Sequence, residues 1–200
     1  KTDLVGRDAV CLMVNQENAV QTLTLPQLAD ILTGKITNWT EVGGKDQPVQ
    51  VFITGQNDGQ RAYLQDSLKI SGFAAKAYPC TTGAQMKDFV TKFKGGIGYT
   101  SLSNVRDLTD PVKRDSVKQI KLLRVSSGRP ESKAYLPYQE NVFKGLYPLT
   151  YGIYCAYREY ERLPKGFAAF LGREGQKVFL RNGVGPIEIP MTVIYFKEDE

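Results

Sequence analysis

The sequence predicts an α/β fold, and three observations lead there. Strand-like and helix-like stretches alternate along the chain. One of these alternations, Val49–Leu68, runs directly from a strand through a turn-rich loop into a helix. The composition is that of a globular protein: 200 residues, 42% hydrophobic and 24% charged, enough for one large domain or two small lobes with a real core.

The elements follow in order. Asp8–Asn15 (DAVCLMVN) is a continuous apolar run ended by Asn, the pattern of a buried strand. After a polar connection over Gln16–Gln21, Thr24 and Gln27 have capping-box spacing, with Pro26 tolerated in the first turn. Leu25, Leu28, Ile31 and Leu32 form one face of a short helix that Gly34 ends. Ile36–Trp39 leads into a turn over Glu41–Gly44, and Trp39, the sole tryptophan, is expected to pack against the short helix.

Val49, Val51 and Ile53 alternate with Gln50 and Phe52 as a strand does. Tyr63, Leu64 and Leu68 share a helical face, and Asp58 stands at the N-cap position. A helix start at the end of a strand offers unpaired N–H groups and the positive end of a dipole, which suit an anion. Asp58 capping its own helix is an equally physical reading, and both stay open.

Ile70–Pro79 reads as a connection. A second helix follows Thr82 and Gly83, with Met86, Phe89, Val90 and Phe93 as its core stripe. Lys94–Gly96 stops it, and Ile97–Thr100 begins a strand. Asn104–Ser116 is polar and helical in part, Gln119–Val125 alternates as one strand, Ser126–Pro130 is a loop, and Glu140–Lys144 is a helical turn. Tyr151–Tyr157 reads as a long buried strand. Pro164 opens a helix with Phe167, Phe170 and Leu171 inside, continued by Glu174–Leu180 and stopped at Gly183. Pro186–Phe196 is expected to be extended and Glu198–Glu200 a frayed acidic end.

Composition also excludes functions. There are no histidines, so triads with a His base and His-containing zinc sites are ruled out. No nucleophile elbow and no P-loop is present, and no metal or cofactor is implied. The net charge of +5 comes from scattered basic residues without a run or stripe, which gives no reason to expect nucleic acid. No stretch is apolar for long enough to span a membrane. Cys11, Cys80 and Cys155 lie far apart and form no CxxC pair. They read as small buried hydrophobes, with one disulfide among them left open.

The order of these signals resembles the phosphate-binding proteins of ABC transporters, which have the two-lobed, type 2 periplasmic binding protein fold. The resemblance begins at Arg7–Val10 with Val14–Asn15, similar to the family's strand crossing between lobes. It is most specific at Leu23–Gly44, LTLPQLADILTGKITNWTEVGG, similar to the family run L-T-x-x-Q-L-x-x-I-F-x-G-x-I-x-N-W. Gly95–Tyr99, Tyr147–Leu149, and Phe170–Leu171 with Glu174–Val178 and Gly183 resemble later family segments in the right order. The resemblance implies a crossover strand and part of the first lobe over residues 1–14, a second α/β lobe over 15–150, and a return crossover with the C-terminal part of the first lobe over 151–200. It matches the second lobe completely and the first only in part.

The family's phosphate loop is altered here. Its arginine falls on Thr54, its serine on Asp58, its glycine on Gly59 and its threonine on Gln60; only Gly59 is retained. A bidentate partner for phosphate is thereby lost. Asp58 adds a like charge, which at ~4 Å and an effective dielectric of about 20 repels by about 4 kcal/mol. That is about three decades of affinity. Arg61, in the first turn, offsets part of it. The implied function is non-catalytic capture of a small anion such as phosphate against Asn57, Asp58, Gly59, Gln60 and Arg61, between lobes that close about the crossing strands. ABC transporter membrane subunits are the implied partners, and the implied location is periplasmic or extracytoplasmic. The alternative is a ligand-free interaction or sensory module on the same fold.

Overall fold

The computed structural model describes residues 1–106 and 120–188. The first strand, β1 (Thr2–Asn15), is 14 residues long and serves two neighbourhoods. Its first half pairs antiparallel with β8 (Thr150–Ala156), placing Asp8 opposite Tyr151. Its second half pairs antiparallel with β5 (Gly96–Ser101) and β6 (Ile120–Leu122). Beyond β5 lie β3 (Gln50–Ile53) and β4 (Tyr78–Pro79), both parallel, so the sheet order is β4-β3-β5-β1-β6 with β8 on the other half of β1. A second, two-stranded sheet pairs β2 (Thr22–Thr24) with β7 (Arg124–Ser126) in parallel.

The core lies along β1, where Ala9–Val14 are all buried, as a continuous apolar run covered on both faces must be. Helix α1 (Leu25–Thr33) contributes Leu28, Ile31 and Leu32, and α3 (Gly83–Lys92) contributes Met86 and Val90. Between them, α2 (Gly59–Leu68) buries Leu64. The short helices α4 (Leu102–Arg106) and α5 (Gln139–Phe143) follow β5 and precede β8. Helices α6 (Arg162–Leu171) and α7 (Gln176–Arg181) end the described chain. Gln176 is buried and ties α7 to β1 by donating to the Val5 carbonyl at 2.8 Å, while its own carbonyl oxygen accepts Ile187 N–H at 2.7 Å.

The capping box of α1 forms as its spacing predicts. Thr24 Oγ1 accepts Gln27 N–H at 3.2 Å, and Gln27 Oε1 accepts Thr24 N–H at 2.9 Å. Gly34 takes the left-handed conformation at φ 80° that closes the helix. Thr24→Ala is expected to lower the free energy of unfolding by about 1 kcal/mol, read from a urea titration.

Five expectations need correction. The strand expected over 119–125 is, in its described part, two strands, not one: at Leu123 the chain leaves the β1 sheet for the β2 sheet, with Leu123 N–H donating to Leu12 O and Arg124 N–H to Gln21 O. Strand β8 is half-exposed rather than buried, and Tyr154 is 61% exposed, because among the described strands β8 pairs only with β1. The helix from Pro164 is divided into α6 and α7 around Gly172–Gly175. Phe167 and Phe170 are 57% and 47% exposed, since α6 turns Ala168 inward. Phe93 falls just past α3 as its C-cap and is largely exposed. Two short elements add detail: a 3-10 turn over Trp39–Val42, and β4 within the connection after α2. The expected extended segment from residue 189 and the acidic end lie outside the described residues, as does 107–119. No disulfide joins the cysteines; Cys11 and Cys80 are buried and Cys155 is half-buried.

Candidate functional site

Strand β3 ends at Ile53, and α2 starts six residues later at Gly59. Asp58 is the N-cap, with extended backbone, and its Oδ1 accepts Arg61 N–H at 2.9 Å. The self-capping reading is therefore the one observed. The carboxylate stays at the positive end of the helix and faces a pocket of about 450 Å³ lined by Asp58, Gly59, Gln60, Tyr63 and Tyr151.

Arg61 turns away from that lining. Its Nη1 donates to the Thr54 carbonyl at 2.7 Å, and its guanidinium lies over the Phe73 ring at 5.1 Å. Its Nε is buried and has no hydrogen-bond partner among the described residues. Thr54 is held from the other side by Tyr99, whose hydroxyl oxygen accepts Thr54 N–H at 3.0 Å and lies 2.7 Å from Thr54 Oγ1. Burial raises the Tyr99 hydroxyl above the ordinary phenol range, against the bonds from Thr54.

The pocket's other wall is aromatic. Tyr63 and Tyr151 rings meet at 5.2 Å between centroids, tilted by 54°. Tyr63 donates its hydroxyl to the Thr150 carbonyl at 2.8 Å, and Tyr151 donates to Asp8 Oδ2 at 3.2 Å. Burial first, and the Asp8 carboxylate second, hold the Tyr151 hydroxyl well above the ordinary range. Burial likewise raises the Asp8 carboxyl, against the hydrogen bonds it accepts. At neutral pH both tyrosines are thus neutral; each spends its hydroxyl proton inside the protein and turns an aromatic ring to the pocket.

Of the five residues the sequence singles out, Asp58, Gly59 and Gln60 come together around the pocket. Asn57 is exposed beside it, and Arg61 lies behind, at Thr54. Sequence reading missed Tyr63 and Tyr151 as pocket walls. Tyr63 gave one signal, a polar tip on an otherwise apolar helix face; Tyr151 gave only its place in a crossing strand. A second hollow of about 500 Å³, between the end of α1 and β3–β4, is lined by apolar residues such as Ile31 and Val51 together with Thr33, Thr37, Gln50 and Lys76, and includes no residue of α2 or of the loop before it. No cluster of three metal-ligating side chains occurs among the described residues, and no described helix is long and apolar enough to cross a membrane.

The profile of the PBP superfamily domain matches residues 1–174. The phosphate-binding protein PstS of Bacillus subtilis is 27% identical over 136 residues, covering 68% of this chain and 40% of that protein. The chain thus spans about two fifths of that relative's length. A phosphate ABC transporter substrate-binding protein of Clostridium perfringens, solved with bound phosphate, superposes with a TM-score of 0.75 at 26% identity, over 94% of this chain and 72% of that one. An ABC-type phosphate transport receptor of Vibrio cholerae superposes with a TM-score of 0.75 at 26% identity, over 92% of this chain and 72% of the receptor. With its mixed sheet, the long shared strand β1 and a family match through most of its length, the chain belongs to the PBP superfamily and has the type 2 periplasmic binding protein fold.

Proposed function

We propose that this chain is a solute-binding module of the phosphate ABC transporter type, which captures a small anion such as phosphate without chemistry. The observation that carries the reading is the start of α2. There a helix N-terminus opens on a pocket, and the Arg61 guanidinium, whose buried Nε has no hydrogen-bond partner among the described residues, donates to the backbone carbonyl of Thr54, the position where the family's arginine belongs. A cation thus stands behind the loop whose family arginine is missing, outside the pocket lining. Asn57, Asp58, Gly59, Gln60 and Arg61 form the binding segment. Residues 1–14 act as the crossover strand and part of the first lobe, 15–150 as the second lobe, and 151–200 as the return crossover with the C-terminal part of the first lobe. The partners are membrane subunits of a transporter, and the place of action is periplasmic or extracytoplasmic.

Asp58 weakens the site, so the expected result of a calorimetric titration with inorganic phosphate at low salt is a dissociation constant in the millimolar range, about −4 kcal/mol. No heat and no thermal shift at saturating phosphate would defeat the reading. A specific observation favours the ligand-free interaction module in that event: Leu163, Phe167 and Phe170 leave α6 with an exposed apolar side. A stable protein partner in a pull-down, together with silence toward phosphate, is the result that reading expects.

A further inference from the structure

Asp8 does not line the pocket, yet its carboxylate gathers donors from three elements around it. It is 5% exposed. Oδ1 accepts Ala9 N–H at 2.7 Å from its own strand and Leu102 N–H at 3.0 Å from α4. Oδ2 accepts the Ser103 hydroxyl at 3.3 Å and the Tyr151 hydroxyl, from β8, at 3.2 Å. Asp8 and Tyr151 are direct cross-strand partners, so the bond follows from the register of β1 with β8. Tyr151 then packs against Tyr63, and Tyr63 ties α2 back to the Thr150 carbonyl at 2.8 Å.

We infer that Asp8 is a positioning residue of the candidate binding site: it fixes Tyr151, and through Tyr151 it fixes Tyr63, as the wall that faces the start of α2. The inference rests on the reading of this pocket as the solute site. A carboxylate suits the role because it is acceptor-only, with room for four donors on two oxygens. An amide in its place has one acceptor oxygen and must turn N–H groups toward Ser103 and Tyr151. The four donors are uncharged, so the group is held by hydrogen bonds alone, each strengthened by the negative charge. Its position where the two crossing strands pair also links the pocket wall to the strands about which lobes would close.

The test uses the chain labelled with 3-fluorotyrosine and followed by fluorine NMR, with Tyr63 assigned from Tyr63→Phe. Asp8→Asn and Tyr151→Phe are each expected to move the Tyr63 resonance, and the double variant to move it no further than either single one. Inorganic phosphate is the binding probe: each variant is expected to weaken its affinity about tenfold, the loss of one hydrogen bond to a charged group. Tyr151→Phe removes only a hydroxyl, so it decides the matter even where Asp8→Asn fails to fold. A Tyr63 resonance unmoved in Tyr151→Phe overturns the inference. Silence of the unmodified chain toward phosphate defeats the anion reading instead, while the tyrosine resonances still decide whether Asp8 positions this wall.

Discussion

Asp58→Ser is expected to tighten phosphate binding by about three decades at low salt, corresponding to about 4 kcal/mol of relieved like-charge repulsion. The geometry makes this substitution a clean one. Asp58 serves α2 through a single acceptor, Oδ1 to Arg61 N–H at 2.9 Å. Serine supplies an acceptor at the same place and is as good an N-cap, so helix stability should change by only a few tenths of a kcal/mol. What leaves is the charge that faces the pocket at Gly59 and Gln60. Asp58→Asn is the matched control, since it too keeps the cap and removes the charge while staying close to aspartate in shape. Because Asp58 is half-exposed, the gain must shrink with ionic strength, and most of it should vanish at about 1 M salt, where the Debye length is ~3 Å. Calorimetric titration of the three proteins at low and high salt checks the expectation. A Ser variant within threefold of the unmodified chain at low salt would show that the carboxylate is not what sets affinity here, by the same arithmetic that makes a decade about 1.4 kcal/mol.

Trp39→Ala is expected to lower the free energy of unfolding by about 3–5 kcal/mol, a large share of the ~5–15 kcal/mol that holds a domain folded. Trp39 is 1% exposed. Its Nε1 donates to the Gly95 carbonyl at 3.0 Å, and the same oxygen accepts Gln50 N–H at 2.9 Å. The indole therefore pins the 3-10 turn to the starts of both β3 and β5, whose parallel pairing carries the loop toward α2. The approach is close enough that a Cβ at Gly95 would collide with the Pro48 carbonyl oxygen. Trp39→Phe distinguishes ring volume from the hydrogen bond. Gly95 O keeps Gln50 as a donor, so no buried acceptor is orphaned and the Phe variant should lose about 1–3 kcal/mol. Trp39 is the sole tryptophan, so urea unfolding is followed by circular dichroism rather than fluorescence. A loss below about 1 kcal/mol in the Ala variant would show that the indole does not hold these elements together.

Much of the fold was legible because its determinants are local. Thr24 and Gln27 sit three residues apart, and the box they predict is the box that forms. Asp58 stands three residues before the N–H it caps, and Gly34 follows the last turn of α1 as a left-handed closure requires. The apolar run at Ala9–Val14 encodes burial on both faces without reference to anything distant. The ordered resemblance of Leu23–Gly44 and later segments then placed these elements in a family, and the superfamily match over residues 1–174 agrees.

The remainder depended on partners far along the chain. Periodicity at 119–125 could not reveal the change of sheet at Leu123, because that is set by which strand, β1 or β2, lies alongside. The aromatic residues Tyr154, Phe167 and Phe170 have the periodicity of core residues, yet exposure is decided by whether another element covers them, which no window of sequence contains. Arg61 reads as a first-turn side chain, and only the folded loop brings its guanidinium back to Thr54. The sequence by itself determined most of the elements, the caps of α1 and α2, and the family. The tertiary structure alone decided the pocket, because Tyr63 of α2 meets Tyr151 of β8, which the pairing of β8 with β1 sets against Asp8, and contacts between residues so distant in the chain are fixed by strand register and packing rather than by local pattern.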